Sequence, residues 1–311
     1  MNEVIGVCSR SFSRDDHLRN ELLRIYPNAK FNDKGISLEG VELINFLNGC
    51  SAAIVGLEVI NREVLIALPE LQVVSKFGVG LDSIDLIAMR DLQRRLGWTP
   101  GINRRSVSEL VVALTLNLLR NVTIQNNEVV NGKWRQITGK TLSGKTVGII
   151  GCNNIGKDLI QLLKNWDCKI LAYDIAPDEE LDSSGHVHYV SLETLLETSD
   201  VVSLHLPLNS STRNILSAEK LNLLQKNSVL INTSRGGLVD ELALKDLLIR
   251  SELAGAAFDV FEYEPAQDDE LLRLPNFLAT PHIGGSTIES IRAMGMAAIE
   301  GLKKNSVPEV V

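Results

Sequence analysis

Three short stretches carry groups that can hold an anion and move a proton. INTSRGG at 231–237, FDVFEYEP at 258–265 and TPHIGG at 280–285 each place a charged or titratable residue just past an apolar run that reads as a strand. In doubly wound α/β sheets the carboxyl ends of the strands line the ligand crevice, so groups delivered there can act together. Arg235 can grip a carboxylate and polarise a carbonyl, and His282 can serve as general acid and base. Glu264 can hold and orient the imidazole. An arginine, a glutamate and a histidine so placed form a coherent set for hydride transfer.

A further stretch, GCNNIG at 151–156, follows the apolar run KTVGII and precedes a helix pattern. That is the context of a G-x-G-x-x-G dinucleotide loop, with Asn153 in place of the middle glycine. Asp174 ends the next strand, 18 residues past Gly156, where a ribose-binding carboxylate belongs. It would accept from the adenosine 2′-hydroxyl and repel a 2′-phosphate, which favours NAD over NADP. Asparagine tolerates positive φ better than other non-glycine residues, so the turn is expected to survive at Asn153. Its side chain should then point away from the phosphates or donate to them. Cys152 beside the loop reads as an inert small residue rather than a reactive thiol.

These groups need a scaffold, and the chain alternates short β-branched runs with amphipathic helical segments, the pattern of parallel sheets with crossover helices. In the first hundred residues strands are expected near 4–8, 52–56, 72–76 and 97–99, with helices near 14–25, 39–48, 61–67 and 84–95. One long helix is expected over 103–130, with Val107, Leu110, Val111, Leu114, Leu118 and Val122 on its apolar face. A second series follows from 146: strands TVGII, KILAYD, DVVSLHL, SVLINTS, AGAAFDV and FLATPH, with helices near 155–166, 191–197, 218–225 and 240–250. Six strands suffice for a dinucleotide-binding sheet. A last helix at 286–303 lies beyond that set and is expected to return to the first domain.

Bulk properties narrow the function classes. The 311 residues suit two domains, 44% of them are hydrophobic, and the net charge of -8 argues against nucleic-acid or anionic-membrane partners. No apolar stretch reaches the roughly 18–20 residues of a membrane span. The start has no basic, apolar and small-residue succession of a secretory signal. Cys8, Cys50, Cys152 and Cys168 show no metal spacing, so no metal is expected and a reduced, cytoplasmic setting is.

With these motifs in hand, the chain resembles the D-isomer-specific 2-hydroxyacid dehydrogenase family over nearly its whole length. The matching residues are Gly78-Val79-Gly80-Leu81-Asp82, Gly151 to Gly156 with Asp174, His205-Leu206-Pro207 with Thr212, Asn232 to Gly237, Asp259 with Glu262 and Glu264-Pro265, and Pro281 to Gly285. The resemblance implies an NAD-dependent enzyme acting on the CH–OH group of a small 2-hydroxy acid. Arg235, Glu264 and His282 are then the catalytic triad. Val79 and Gly80, with Arg235 and His282, receive the substrate. Gly151, Asn153, Asn154, Ile155, Gly156, Asp174, Leu206, Pro207, Thr212, Thr233, Ser234, Arg235, Asp259, His282, Gly284 and Gly285 line the NAD site.

The family architecture further implies an α/β fold in which a Rossmann NAD-binding domain, 100–285, is inserted in a flavodoxin-like substrate domain, 1–99 plus 286–311. The active site is expected in the cleft between them, closed by hinge motion. The helix after Pro100 resembles the family's dimer-forming element, so a homodimer is expected. The C-terminal half is most similar to the phosphoglycerate dehydrogenase branch, which places 3-phosphoglycerate first among substrates.

Yet the segment after strand 52–56 reads GLEVIN, with Leu57 and Glu58 where that branch offers an arginine; Arg62 and Lys76 are the cations at hand. Glycerate, glyoxylate or lactate-type acids, or phosphite, are the alternatives, and a formate type is disfavoured because it uses glutamine at the position of Glu264. An NADH-sensing, corepressor-like binding protein is the alternative of another class. The chain ends at 311 without the branch's C-terminal regulatory extension, so feedback through such a domain is not expected.

Overall fold

Two parallel sheets organise the chain. In the computed structural model, which describes residues 3–183 and 185–309, contacts divide it into two units. One is Met1–Asn103 with Gly285–Val311, the other Arg104–Gly284. The divisions fall at 103/104 and 284/285, a few residues from the 99/100 and 285/286 expected, and Gly285 groups with the first unit.

The first unit contains β1 (Ile5–Val7), β2 (Lys30–Phe31), β3 (Ala52–Val55), β4 (Val73–Lys76) and β5 (Arg95–Gly97). They form a five-stranded parallel sheet in the order β2-β1-β3-β4-β5, the flavodoxin-like arrangement. β3 is buried along its length, as a strand covered by helices on both faces must be. β1, β3 and β4 match the sequence reading, β5 lies two residues before the 97–99 expected, and β2 was not expected because two residues carry no periodicity. The last helix, Ile288–Gly301, packs in this unit, where Ser75 Oγ donates to the Ala298 carbonyl at 2.7 Å.

The second unit contains β6 (Thr146–Ile150), β7 (Lys169–Tyr173), β8 (Val187–Tyr189), β9 (Val201–Leu204), β10 (Val229–Asn232), β11 (Gly255–Phe258) and β12 (Phe277–Ala279). Their order, β12-β11-β10-β9-β6-β7-β8, is a doubly wound Rossmann sheet with one strand added at the β12 edge, and its switch point lies between β6 and β9. The sheet therefore has seven strands rather than six. The strand missed was β8, three residues with the polar His188 at their centre.

The long helix expected over 103–130 is two helices, Arg104–Arg120 and Val122–Val130, bent by 61°. Between them Asn121 takes φ +54°, and the Asn117 side chain accepts from the Thr123 N–H at 3.0 Å. Helical hydrogen bonding stops there, and β-branched Val122, Thr123 and Ile124 follow. The first helix buries Val107, Val111, Leu114 and Leu119 in the second unit. The second helix buries none of its residues, so Val122 is exposed rather than core.

Candidate active site

The glycine loop leaves β6 at the switch point. Gly151 takes φ +96°, and a Cβ there would stand 2.6 Å from the His205 carbonyl oxygen, so this position demands glycine for conformation and space alike. Asn153 is extended, at φ −87°, and its Nδ2 donates to the His205 carbonyl at 3.0 Å. The expectation of a positive φ at Asn153 is thus corrected: Gly151 makes the left-handed turn, and the asparagine side chain ties the loop to the residue after β9. The helix that follows, Asn154–Leu163, has no side-chain cap. Its first-turn N–H groups and dipole therefore face outward for an anion.

Asp174 follows β7 directly. Its Oδ2 accepts from the Cys152 N–H at 2.7 Å and its Oδ1 from the Ala176 N–H at 3.0 Å. A carboxylate offers about four lone-pair sites, which leaves capacity for ribose hydroxyls. Thr233 Oγ1, after β10, is buried with no hydrogen-bond partner among the described residues. An uncapped helix, a strand-end carboxylate and an orphaned hydroxyl are the donor and acceptor set a dinucleotide requires, so these residues fit NAD. Burial pushes the Cys152 thiol up to about 11, so it stays a thiol near neutral pH and is inert.

The triad residues leave three adjacent strands, β10, β11 and β12. Past β10, Ser234 N–H donates to Asn232 Oδ1 at 3.1 Å, Asn232 Nδ2 donates to the Arg235 carbonyl at 2.9 Å, and Ser234 Oγ donates to the Leu206 carbonyl at 2.9 Å. This closed turn presents Arg235. Past β11, Glu264 curls back so that Oε1 accepts from the Phe261 N–H at 3.2 Å and Oε2 faces His282 Nδ1 at 2.8 Å. A carboxylate only accepts, so Nδ1 donates and Nε2 remains for proton exchange.

His282 sits at φ +54°, a conformation that needs support from its surroundings. The support is Asp259, 1% exposed. Its carboxylate accepts from Thr280 Oγ1 at 2.6 Å and from the N–H groups of Ile283 and Gly284, each at 2.7 Å, and its carbonyl accepts from the His282 N–H at 3.0 Å. Ser106 Oγ holds the other end of the loop by donating to the Gly284 carbonyl at 2.6 Å. The Asp259 carboxylate therefore serves the histidine-bearing loop, a role its bare position in the motif does not disclose.

The remaining candidates of the second unit lie in the loop after β9. Leu206, Pro207 and Thr212 follow β9, and Thr212 Oγ1 donates to the Pro207 carbonyl at 2.7 Å, closing that loop. His205 is buried and its pKa is lowered by that burial to about 3, so it is neutral and takes no part in acid–base chemistry. Val79 and Gly80 belong to the first unit, in the loop after β4, where Trp98 Nε1 donates to the Val79 carbonyl at 3.0 Å.

Residues 112–284 match the model of the D-isomer specific 2-hydroxyacid dehydrogenase NAD binding domain. A hydroxypyruvate reductase of Thermotoga maritima is 37% identical over 251 residues, which cover 79% of this chain and 81% of that one. A D-3-phosphoglycerate dehydrogenase of Methanocaldococcus jannaschii is 36% identical over 248 residues, 79% of this chain but 47% of the relative, so this chain spans about half its length. Among solved structures, D-lactate dehydrogenase from Aquifex aeolicus, complexed with NAD and lactic acid, superposes with a TM-score of 0.84 at 26% identity over 97% of this chain and 94% of that one.

Proposed function

The chain belongs to the D-isomer specific 2-hydroxyacid dehydrogenase family, and from this premise we propose that it interconverts a small, unphosphorylated 2-keto acid of hydroxypyruvate or glyoxylate size with the D-2-hydroxy acid, using NAD. When bound, NADH supplies the hydride received at C2. Arg235 binds the substrate carboxylate and polarises the keto oxygen. His282, its tautomer fixed by Glu264, delivers a proton from Nε2 to that oxygen in reduction and takes it back in oxidation.

The observation that carries the substrate reading is the state of the charges around Gly56 in the first unit. Glu58, 8% exposed, accepts from the Gly56 N–H at 2.6 Å. Lys76 Nζ donates to the Gly56 carbonyl and to Ser83 Oγ. Arg62 pairs with Asp91 at 2.5 Å. Both cations at hand to compensate for the missing arginine are engaged within the chain, and a phosphate dianion would meet a buried carboxylate instead. Exposed Leu57 on the same loop suits a neutral substituent. These contacts support a smaller acid over phosphoglycerate as the substrate. In assays of NADH oxidation, kcat/KM for hydroxypyruvate or glyoxylate should exceed that for phosphohydroxypyruvate by about 10-fold or more. Preference for the phosphorylated acid would overturn the substrate reading.

The same membership supports a homodimer. Val122, Val129, Val130 and Trp134 are all exposed on and just after the helix that buries nothing, and Trp134 is 88% exposed. Large apolar side chains exposed together on one short stretch of chain are the mark of an association site. Size-exclusion chromatography with light scattering should give twice the chain mass for the wild type and the single chain mass for Trp134→Asp. A monomeric wild type would refute the dimer.

A further inference from the structure

Glu264 is carried by a short segment that other parts of the second unit pin in place. The Phe261 ring packs on Phe258 and Phe277, with centroids 6.2 and 6.3 Å apart. The Glu262 N–H donates to Glu241 Oε1 at 2.9 Å, in the first turn of the helix Glu241–Ile249. The Glu262 carboxylate accepts from Arg213 Nη1 at 2.9 Å. Arg213 also lies over Gly237, where a Cβ would stand 3.3 Å from Nη1, two residues beyond Arg235. Arg213, Glu262 and Glu241 have no part in the chemistry above.

Two carboxylates meet here. Burial, and behind it the charge of Glu262, holds Glu241 above the usual carboxylate range. The Arg213 cation offsets that repulsion and keeps Glu262 folded against the helix turn. Its pair with Glu262 is half exposed, at 52% and 44%, and a pair so exposed adds little to global stability. Its geometric consequence is larger. Glu264 closes back on the Phe261 N–H, so the direction of its carboxylate follows the placement of the Phe261 backbone, and the next N–H, that of Glu262, is the one held by Glu241.

We propose that Arg213 is a positioning residue: by pairing with Glu262 it fixes the Phe261–Glu264 segment and so aims the Glu264 carboxylate at His282. This rests on the reading of the triad as a 2-keto acid reductase. The test is Arg213→Gln in two backgrounds. In the wild type it should lower kcat about 10-fold, with the KM for NADH and the melting temperature essentially unchanged. In Glu264→Gln the same substitution should cost less than about twofold, because no carboxylate remains to be aimed. Arg213→Lys should recover most of the loss.

Equal losses in both backgrounds, or no loss in the wild type, would overturn the proposal. If the wild type reduced no 2-keto acid, the functional reading would fail while the positioning role stayed open to decision by crystal structures of the wild type and Arg213→Gln. Loss of the Glu264–His282 hydrogen bond in the variant supports it, and an unchanged bond refutes it.

Discussion

His282→Ala should lower kcat/KM for 2-keto acid reduction by about 10²–10⁴-fold while NADH binds as in the wild type. The separation follows from how the loop is built. Among the described residues the imidazole has a hydrogen bond from Nδ1 to Glu264. The loop that carries it is held through its backbone, by the Asp259 carboxylate on Ile283 and Gly284 and by Ser106 on Gly284. Removing the side chain therefore removes the proton donor and leaves the frame. The loss should appear in kcat rather than in the KM for NADH, because protonation of the keto oxygen matters in the transition state and little before it. Fluorescence titration of NADH beside steady-state kinetics checks both halves. Turnover near the wild-type level would remove His282 from the mechanism.

Gly236→Ala should be nearly as damaging, though Gly236 has no functional group. A Cβ there would overlap the Phe261 carbonyl and the Glu262 nitrogen. Those are backbone atoms that cannot turn aside as a flexible side chain could. The φ at this position is not in the left-handed region, so the demand for glycine is one of space alone. The turn presenting Arg235 and the segment presenting Glu264 would have to move apart. A displacement of about 1 Å can cost about 10²-fold in rate, and overpacking of this kind costs about 1–3 kcal/mol of stability. Kinetics and thermal melting should both register the change. A variant that kept wild-type kcat/KM would show that contact between the two segments is not needed for catalysis.

The candidate triad was legible in the sequence as a set because each member lies just beyond an apolar strand, so motif and scaffold pointed to one end of one sheet. The glycine loop was readable in the same way, but at Asn153 both the backbone and the side chain needed the structure: Gly151, not Asn153, makes the left-handed turn, and the asparagine amide reaches the His205 carbonyl. What escaped depends on contacts between residues distant in sequence. Arg213 and Glu262 are 49 residues apart, and no spacing rule links them. The service of Asp259 to the histidine loop is likewise a matter of where two strand ends meet. The engagement of Lys76 and Arg62, on which the proposed substrate rests, is invisible in a list of cations. Among the elements, the two short strands β2 and β8 lack a period to detect. The break at Asn121 was hidden by an apolar pattern that continues across it.

The most direct measurement is the fate of label from NADH carrying deuterium at both C4 positions, mixed with this protein and hydroxypyruvate or glyoxylate. The predicted product is the 2-hydroxy acid with one deuterium at C2, of D configuration wherever C2 bears a third substituent, formed by the wild type and nearly absent with His282→Ala. Tight NADH binding with no deuterated acid from either substrate, or from the wider set of 2-keto acids, would contradict a dehydrogenase and favour an NADH-binding protein that performs no hydride transfer.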